Sequence, residues 1–101
     1  MKTNENGWIY VQADKGSFYQ STGEINLEKN IIVYTEAEEK IFADLAKVNT
    51  NEKIITLINN VKYQDSNILI TANKSIIDNE LQNIKYFGNV KSIIIKRETN
   101  E

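Results

Sequence analysis

Apolar and polar residues alternate along most of the chain. In the stretch ITLINNVKY at 55–63, every second residue is apolar except Asn59. Such alternation is typical of strands with one buried face. Clusters of turn-forming residues separate the alternating stretches, at 20–24, 49–53 and 78–80. The pattern therefore predicts an all-β protein.

A set of residues recurs three times, at intervals of about 30 positions. When the three segments are aligned, residues at equivalent positions form columns. Ala13, Ala43 and Ala72 form the first column, and the second column, three places later, holds the small residues Gly16, Ala46 and Ser75. A third column is Asn30, Asn60 and Asn89, each followed by Ile or Val. Agreement in so many columns predicts internal repeats at about 11–40, 41–69 and 70–95 of a domain at 8–95. Residues 1–7 are expected to be a disordered segment and 96–101 a polar tail.

Each repeat is expected to hold two long strands joined by a tight turn, which gives six to eight strands in all. Stacked repeats would share one apolar interior. The step from the alanine to the small residue spans three positions instead of two, which predicts a β-bulge at Asp14, Asp44 and Asn73. Bent strands fit a curved sheet or two facing sheets.

One segment favours a different structure by propensity. The residues TEAEEKIFADLAKV include several good helix formers. The equivalent segment of the third repeat, ILITANKSII, is rich in β-branched residues. Because repeats share a conformation, we predict a strand in both.

Composition limits the function more than it defines it. The chain has 101 residues, enough for one modest domain, and its net charge of −2 gives no basic surface for nucleic acid. It contains no Cys and no His, which removes thiolate chemistry, the usual general base and the commonest transition-metal ligand. We therefore predict a protein that is not an enzyme, with no cofactor and no metal site. No signal peptide or membrane-spanning stretch is visible.

Two segments, ADLAKVNTNEKIITLINNVKY and TANKSIIDNELQNIKYFGNVKS, resemble the OstA-like repeat of the lipopolysaccharide-transport bridge proteins, the LptA and LptC family. GNV at 88–90 matches the Gly-Asn-Val ending of that repeat, and NNV at 59–61 matches two of its three residues. KNI at 29–31 keeps only the Asn. The resemblance covers about residues 8–95.

The resemblance implies an antiparallel β-jellyroll open along one side, located in the periplasm. It implies a module that shields lipopolysaccharide acyl chains in an apolar groove and passes them between jellyrolls stacked through their edge strands. The implied partners are lipopolysaccharide, other jellyroll domains of the bridge and the inner-membrane ABC transporter complex. The resemblance also implies a secretion signal or membrane anchor, and we expect neither within these 101 residues. The short polar tail after the last GNV slightly favours an LptC-like over an LptA-like protein.

Four apolar columns are the candidate lipid groove. They are Val11, Ile41 and Ile70; Ile25, Ile55 and Ile84; Leu27, Leu57 and Tyr86; and Ile31, Val61 and Val90. Because strands lie about 4.8 Å apart, each column would form an apolar stripe across the sheet. The alternative is a structural β-repeat scaffold in which these columns form a closed, dry core without a ligand.

The sheet edges are the candidate partner surfaces, with Trp8, Tyr10, Val90 and Ile94 as the edge residues. Trp8 could instead be plain core edge. We interpret the Asn column as shaping the strands, although contact with a lipid head group is an alternative. The acidic residues Glu36, Glu38 and Glu39 are expected to form a solvated loop instead of a cation site.

Overall fold

Strands account for all the regular structure in residues 9–35, 39–78 and 83–94, which the computed structural model describes. They are β1 (Ile9–Gln12), β2 (Lys15–Tyr19), β3 (Glu24–Thr35), β4 (Lys40–Asn49), β5 (Ile54–Gln64), β6 (Ile68–Ile77), β7 (Ile84–Phe87) and β8 (Lys91–Ile94). No helix occurs in these ranges. The all-β prediction is confirmed. Within the segment 35–48, where we expected a strand instead of a helix, the structure has β4 at Lys40–Asn49, while Glu39 is not in a strand and 36–38 lie outside the described ranges.

All neighbouring strands are antiparallel. The order is β1-β3-β4-β5-β6-β7, while β2 also pairs with β3 and β8 also pairs with β6. β1 and β2 therefore act as one long strand with a break, and so do β7 and β8. The sheet consists of six long strands, and each predicted repeat corresponds to an adjacent pair of them.

A crease crosses every long strand near its middle. On β3 the register slips between Glu28 and Ile31, and on β5 it slips between Ile58 and Val61. The breaks at 13–14 and 88–90 lie on the same line. The crease divides the sheet into two arms. The first arm contains β2, 24–28, 45–49, 54–58, 74–77 and β7, and the second contains β1, 31–35, 40–43, 61–64, 68–72 and β8.

The position of the bulge corrects the sequence prediction. We expected the extra residue at Asp14, Asp44 and Asn73, but each of these faces a bulge on the neighbouring strand. The left-handed pairs are Lys29 and Asn30 (φ 71° and 56°), Asn59 and Asn60 (φ 70° and 54°), and Gly88 and Asn89 (φ 82° and 50°). Two residues on one strand thus lie opposite one residue on the other, which bends the sheet.

The Asn column shapes the strands, as the sequence predicted. Asn and Gly adopt positive φ at less cost than other residues. The side-chain amide of Asn30 donates to Asp14 Oδ2 at 2.8 Å, and that of Asn60 donates to Asp44 Oδ2 at 2.7 Å. In the third repeat Asn73 N–H donates to the Gly88 carbonyl at 2.9 Å. A Cβ on Gly88 would lie 2.8 Å from Asn73 Nδ2, so glycine fits this close approach.

The two arms fold over each other. Glu39 lies just before β4, whereas Tyr86 is on β7, so β5 and β6 separate them in the sheet. They also belong to opposite arms. The pKa of Tyr86 is nevertheless raised, first by burial and then by the negative charge of Glu39. The core itself shows this folding geometrically, because buried residues of both arms, such as Leu57 on the first and Ile41 on the second, belong to one hydrophobic cluster and are 0% exposed.

The folded sheet is open along one seam. In the described part of the chain, β1 and β2 make no contact with β7 and β8, and each of these strands has only one neighbour. The fold is therefore an open antiparallel β-jellyroll, as predicted. The residues 1–7 and 96–101 lie outside the described ranges, and the domain limits at 8 and 95 stay a prediction.

Candidate functional site: an apolar interior between two arms

Four rows of side chains line the space between the arms. Strand register gives the first arm two rows. One row consists of Ile25, Val48, Ile55, Ile77 and Ile84. The other row consists of Gly16, Leu27, Ala46, Leu57, Ser75 and Tyr86. On the second arm the rows are Ile31, Ala43, Val61 and Ala72, and Val11, Val33, Ile41, Tyr63 and Ile70. Each row runs across the sheet from one edge towards the other. The rows thus form apolar stripes perpendicular to the strands.

The structure brings almost all of the predicted groove residues to this interior. Fully buried among them are Ile31, Ile41, Ile55, Leu57 and Val61, and partly buried are Val11, Ile25, Leu27, Ile70, Ile84 and Tyr86. Val90 differs, because it is 49% exposed and lies outside the core cluster. Burial is greatest in the middle of the sheet and decreases towards the edge strands. The interior is closed at its centre and accessible at its edges.

Several interior residues were not among the predicted groove residues. They are Val33, Ala43, Ala46, Val48, Tyr63, Ala72, Ser75 and Ile77. Val33 and Tyr63 continue the alternation of Ile31 and Val61, so period two alone was enough to find them. The small residues carried a repeat signal but no apolar bulk. The inward position of these small residues depends on which strand holds the bulge. Our prediction from the sequence assigned the bulge to the wrong strand.

One end of the interior is polar. Thr35 Oγ1 donates to Glu39 Oε1 at 3.2 Å, and the Tyr63 hydroxyl donates to Asp65 Oδ2 at 2.9 Å. Asp65 also caps the turn to β6, where its Oδ1 accepts the backbone N–H of Ile68 at 2.9 Å. This end combines hydroxyl groups and carboxylates next to an apolar interior, so it can hydrogen-bond a polar group of a ligand.

The titration behaviour of this end follows from its contacts. Burial, together with the nearby Asp65 and Glu39 carboxylates, raises the pKa of the Tyr63 hydroxyl well above its usual range. Burial and the Glu39 charge raise the pKa of Tyr86 to about 12. Hydrogen bonds from Asn67 N–H, from the Tyr63 hydroxyl and from Ile68 N–H lower the pKa of Asp65. Both tyrosines therefore stay protonated, and Asp65 stays ionised, at neutral pH.

The acidic residues predicted as a solvated loop are only partly described. Glu36 and Glu38 lie outside the described residues. Glu39 is half-buried and is bonded to Thr35 through both its carboxylate and its backbone N–H. Across 9–35, 39–78 and 83–94, no group of three or more acidic, His or Cys side chains is arranged to hold a metal ion.

Surface grooves follow the crease where the bulges open the sheet. One has a volume of about 500 Å³ and includes Lys29, Asn30, Asp44 and Asn59 in its lining. A second, of about 350 Å³, includes Asn60, Asn73 and Asn89. These linings are polar, and Asn30 and Asn60 are already bonded to aspartates. The crease is therefore a more polar surface than the interior.

Of the predicted edge residues that the structure describes, Tyr10 and Ile94 lie on edge strands, whereas Val90 lies in the break between β7 and β8. Tyr10 on β1 is 56% exposed, and Ile94 on β8 is 71% exposed. Ile93, not predicted as an edge contact, is also exposed. Trp8 lies outside the described residues. Both edges thus present unpaired backbone together with apolar side chains.

None of the described residues forms a helix that is long and apolar enough to cross a membrane.

Comparisons with known proteins agree with the resemblance noted in the sequence. The chain is similar in structure to LptH, the LptA homologous periplasmic component of the lipopolysaccharide transport device from Pseudomonas aeruginosa, with 12% identity and a TM-score of 0.43 over 89% of this chain and 96% of that chain. A search of curated protein sequences finds no match. A family model for lipopolysaccharide-assembly, LptC-related proteins matches residues 2–95. The chain therefore belongs to the LptC-related family of lipopolysaccharide-assembly proteins.

Proposed function

We propose that this chain is a periplasmic bridge module that holds lipopolysaccharide acyl chains between its two arms and passes them to a neighbouring jellyroll. The observation that carries the proposal is the set of apolar rows that run across the sheet, three of which are less buried at their ends than in their middle. Exposing an acyl chain to water costs about 0.8 kcal/mol per methylene. A stripe without a closed end lets a chain move along it while it stays out of water.

Family membership supports the LptC-like assignment over the LptA-like one, because the matching model is that of LptC-related proteins. An LptC-like role makes the inner-membrane ABC transporter complex the donor of the lipid. A jellyroll domain of the bridge is then the acceptor. The domain itself needs no catalytic residue for this transfer.

The carrier role predicts that purified protein binds lipopolysaccharide through its acyl chains. Fluorescently labelled lipopolysaccharide should co-elute with the protein in size-exclusion chromatography. Dodecyl maltoside, used below its micelle concentration, should displace the labelled lipid, whereas maltose should not. If a folded protein elutes without lipid, the closed scaffold becomes the better description.

Stacking through the edges is supported by the direction of the strands. Neighbouring strands are antiparallel throughout and the long strands are six, so the first and last run in opposite directions. A second jellyroll placed beside β7 and β8 in the same orientation would therefore continue the antiparallel sheet without a break. On the outer face of the second arm, one row of side chains begins with Tyr10, Tyr34 and Lys40 and ends with Leu69 and Ile93. In the stacked arrangement, Ile93 of one copy would lie next to Tyr10 of the following copy.

Cysteine crosslinking tests this stacking, since the natural chain contains no Cys. We expect Tyr10→Cys on one copy to form a disulfide with Ile93→Cys on another. The control pair combines Tyr10→Cys with Lys85→Cys, which is also on the outer face but on the other arm. Equal yields from the two pairs would mean that the copies collide without edge pairing.

A further inference from the structure

The Ser75 hydroxyl is an unusual feature of the apolar interior. Ser75 is 0% exposed, and in the described part of the chain its Oγ is the one buried side-chain nitrogen or oxygen without a hydrogen-bond partner. Strand register places Leu57 on one side of it and Tyr86 on the other. Leaving a buried hydroxyl without a partner costs stability, so such groups are uncommon in folded proteins.

The other two repeats show that the fold itself does not require this hydroxyl. The equivalent positions hold Gly16 and Ala46 in the same row, of which Gly16 is exposed on the edge strand β2 and Ala46 is buried. All three residues are small and lie in the same row as the bulky Leu57 and Leu27. At Gly16 a Cβ would lie only 2.8 Å from Leu27 Cδ2, so the leucine already fills the space there. Only the third repeat adds a polar atom, and it does so one strand away from the β7 edge.

The surroundings of Ser75 select a neutral ligand atom. Its neighbours on the interior face are Leu57, Ile77 and Tyr86, none of which is charged at neutral pH. A phosphate or carboxylate buried there would have no cation to offset its desolvation. A hydroxyl can donate to an uncharged acceptor such as a carbonyl oxygen. Acyl lipids carry an ester or amide carbonyl at the base of each acyl chain.

We propose that the Ser75 hydroxyl donates a hydrogen bond to an acyl carbonyl of a lipid that enters between the arms from the β7 edge. This assignment rests on the proposed lipid-carrier function. It adds one hydrogen-bond donor to a row of side chains that is otherwise apolar at this position. The bound chain would then lie with its ester or amide group beside Leu57 and Tyr86. Its methylene groups would extend along the rows towards Ala46 and Leu27.

Two probes with the same chain length separate this hydrogen bond from general apolar binding. Dodecanoyl sucrose carries an ester carbonyl, whereas dodecyl maltoside has an ether-type glycosidic link, and both have a disaccharide head group. Binding of each, below its micelle concentration, is measured by isothermal titration calorimetry. We expect the natural protein to bind dodecanoyl sucrose about three- to tenfold more tightly, which is the range of one net hydrogen bond.

The variant Ser75→Ala should abolish this preference and leave the affinity for dodecyl maltoside unchanged. It should fold, because the middle repeat holds alanine at the equivalent position, and its melting temperature should be unchanged or higher. The matched control is Ser17→Ala, the same substitution at an exposed position on the outer face, which should keep the preference.

The outcomes distinguish the two proposals. If the natural protein binds the two probes with equal affinity, and Ser75→Ala does the same, the lipid path stands and the Ser75 assignment is wrong. If the preference persists in Ser75→Ala, another group recognises the carbonyl and the assignment is again wrong. If neither probe binds a folded protein, the carrier function fails, and the Ser75 proposal fails with it.

Discussion

Replacing Leu57 with alanine is expected to lower the free energy of unfolding by about 2–5 kcal/mol. Leu57 is 0% exposed and lies at the centre of the interior, paired with Ala46 on β4 and Ser75 on β6. Both neighbours are small and cannot fill the space that the lost side chain would leave. The change is measured by urea denaturation followed by circular dichroism.

The matched control is Leu45→Ala. Leu45 belongs to the outer face of β4 and is 36% exposed, so the same atoms are removed without opening an interior cavity. We expect a loss below about 1 kcal/mol. Similar losses for Leu57 and Leu45 would contradict the assignment of Leu57 to a packed interior between two arms.

Replacing Asn60 with valine is expected to cost about 2–3 kcal/mol, although Asn60 is exposed. Its φ of 54° lies in the left-handed region, which is strongly unfavourable for a β-branched residue. The substitution also removes the 2.7 Å hydrogen bond to Asp44. Ordinary exposed strand positions favour valine. A loss of stability here would therefore show that the bulge at the crease requires a residue that tolerates positive φ.

Two further variants separate the backbone contribution from the hydrogen bond. Asn60→Gly loses the bond to Asp44 but adopts positive φ freely, and Asp44→Ala removes only the acceptor. Each should cost about 1 kcal/mol or less. If Asn60→Gly destabilised the protein as much as Asn60→Val, backbone strain would not be the reason for the Asn column.

Period-two alternation and the repeat were sufficient to predict the strands and the tight turns between them, whereas the antiparallel jellyroll was implied by the family resemblance. Most of the predicted groove residues face the interior, since Leu57 and Val61 keep one phase across the crease. Alternation reports which face of a strand is buried. It carries no information on how far a bound lipid would reach, so the groove assignment of these residues stays a prediction.

The sequence misplaced the bulge for a physical reason. A spacing of three between Ala43 and Ala46 shows that the phase slips, but a slip belongs to a pair of strands and does not reveal which one holds the extra residue. The left-handed residues Asn59 and Asn60 carried that information. Asn is common in turns, in caps and at positive φ, so its presence alone did not select among them.

The polar end of the interior could not be found by pattern either. Thr35 and Glu39 are four residues apart and hydrogen-bond through their side chains, and the Glu39 charge raises the pKa of Tyr86, which belongs to the other arm. Contacts of this kind depend on the angle of the crease. No local sequence signal encodes that angle.

The most direct test of the central claim is site-specific photocrosslinking. A photoreactive diazirine analogue of leucine is placed at Leu57, or at Thr56 as the control, and the protein is irradiated with lipopolysaccharide. Leu57 faces the interior, whereas Thr56 lies on the opposite face of β5, in register with Lys47. A lipid adduct at Leu57 and none at Thr56 is the predicted result. No adduct at Leu57 in a folded protein would contradict a lipid path between the arms.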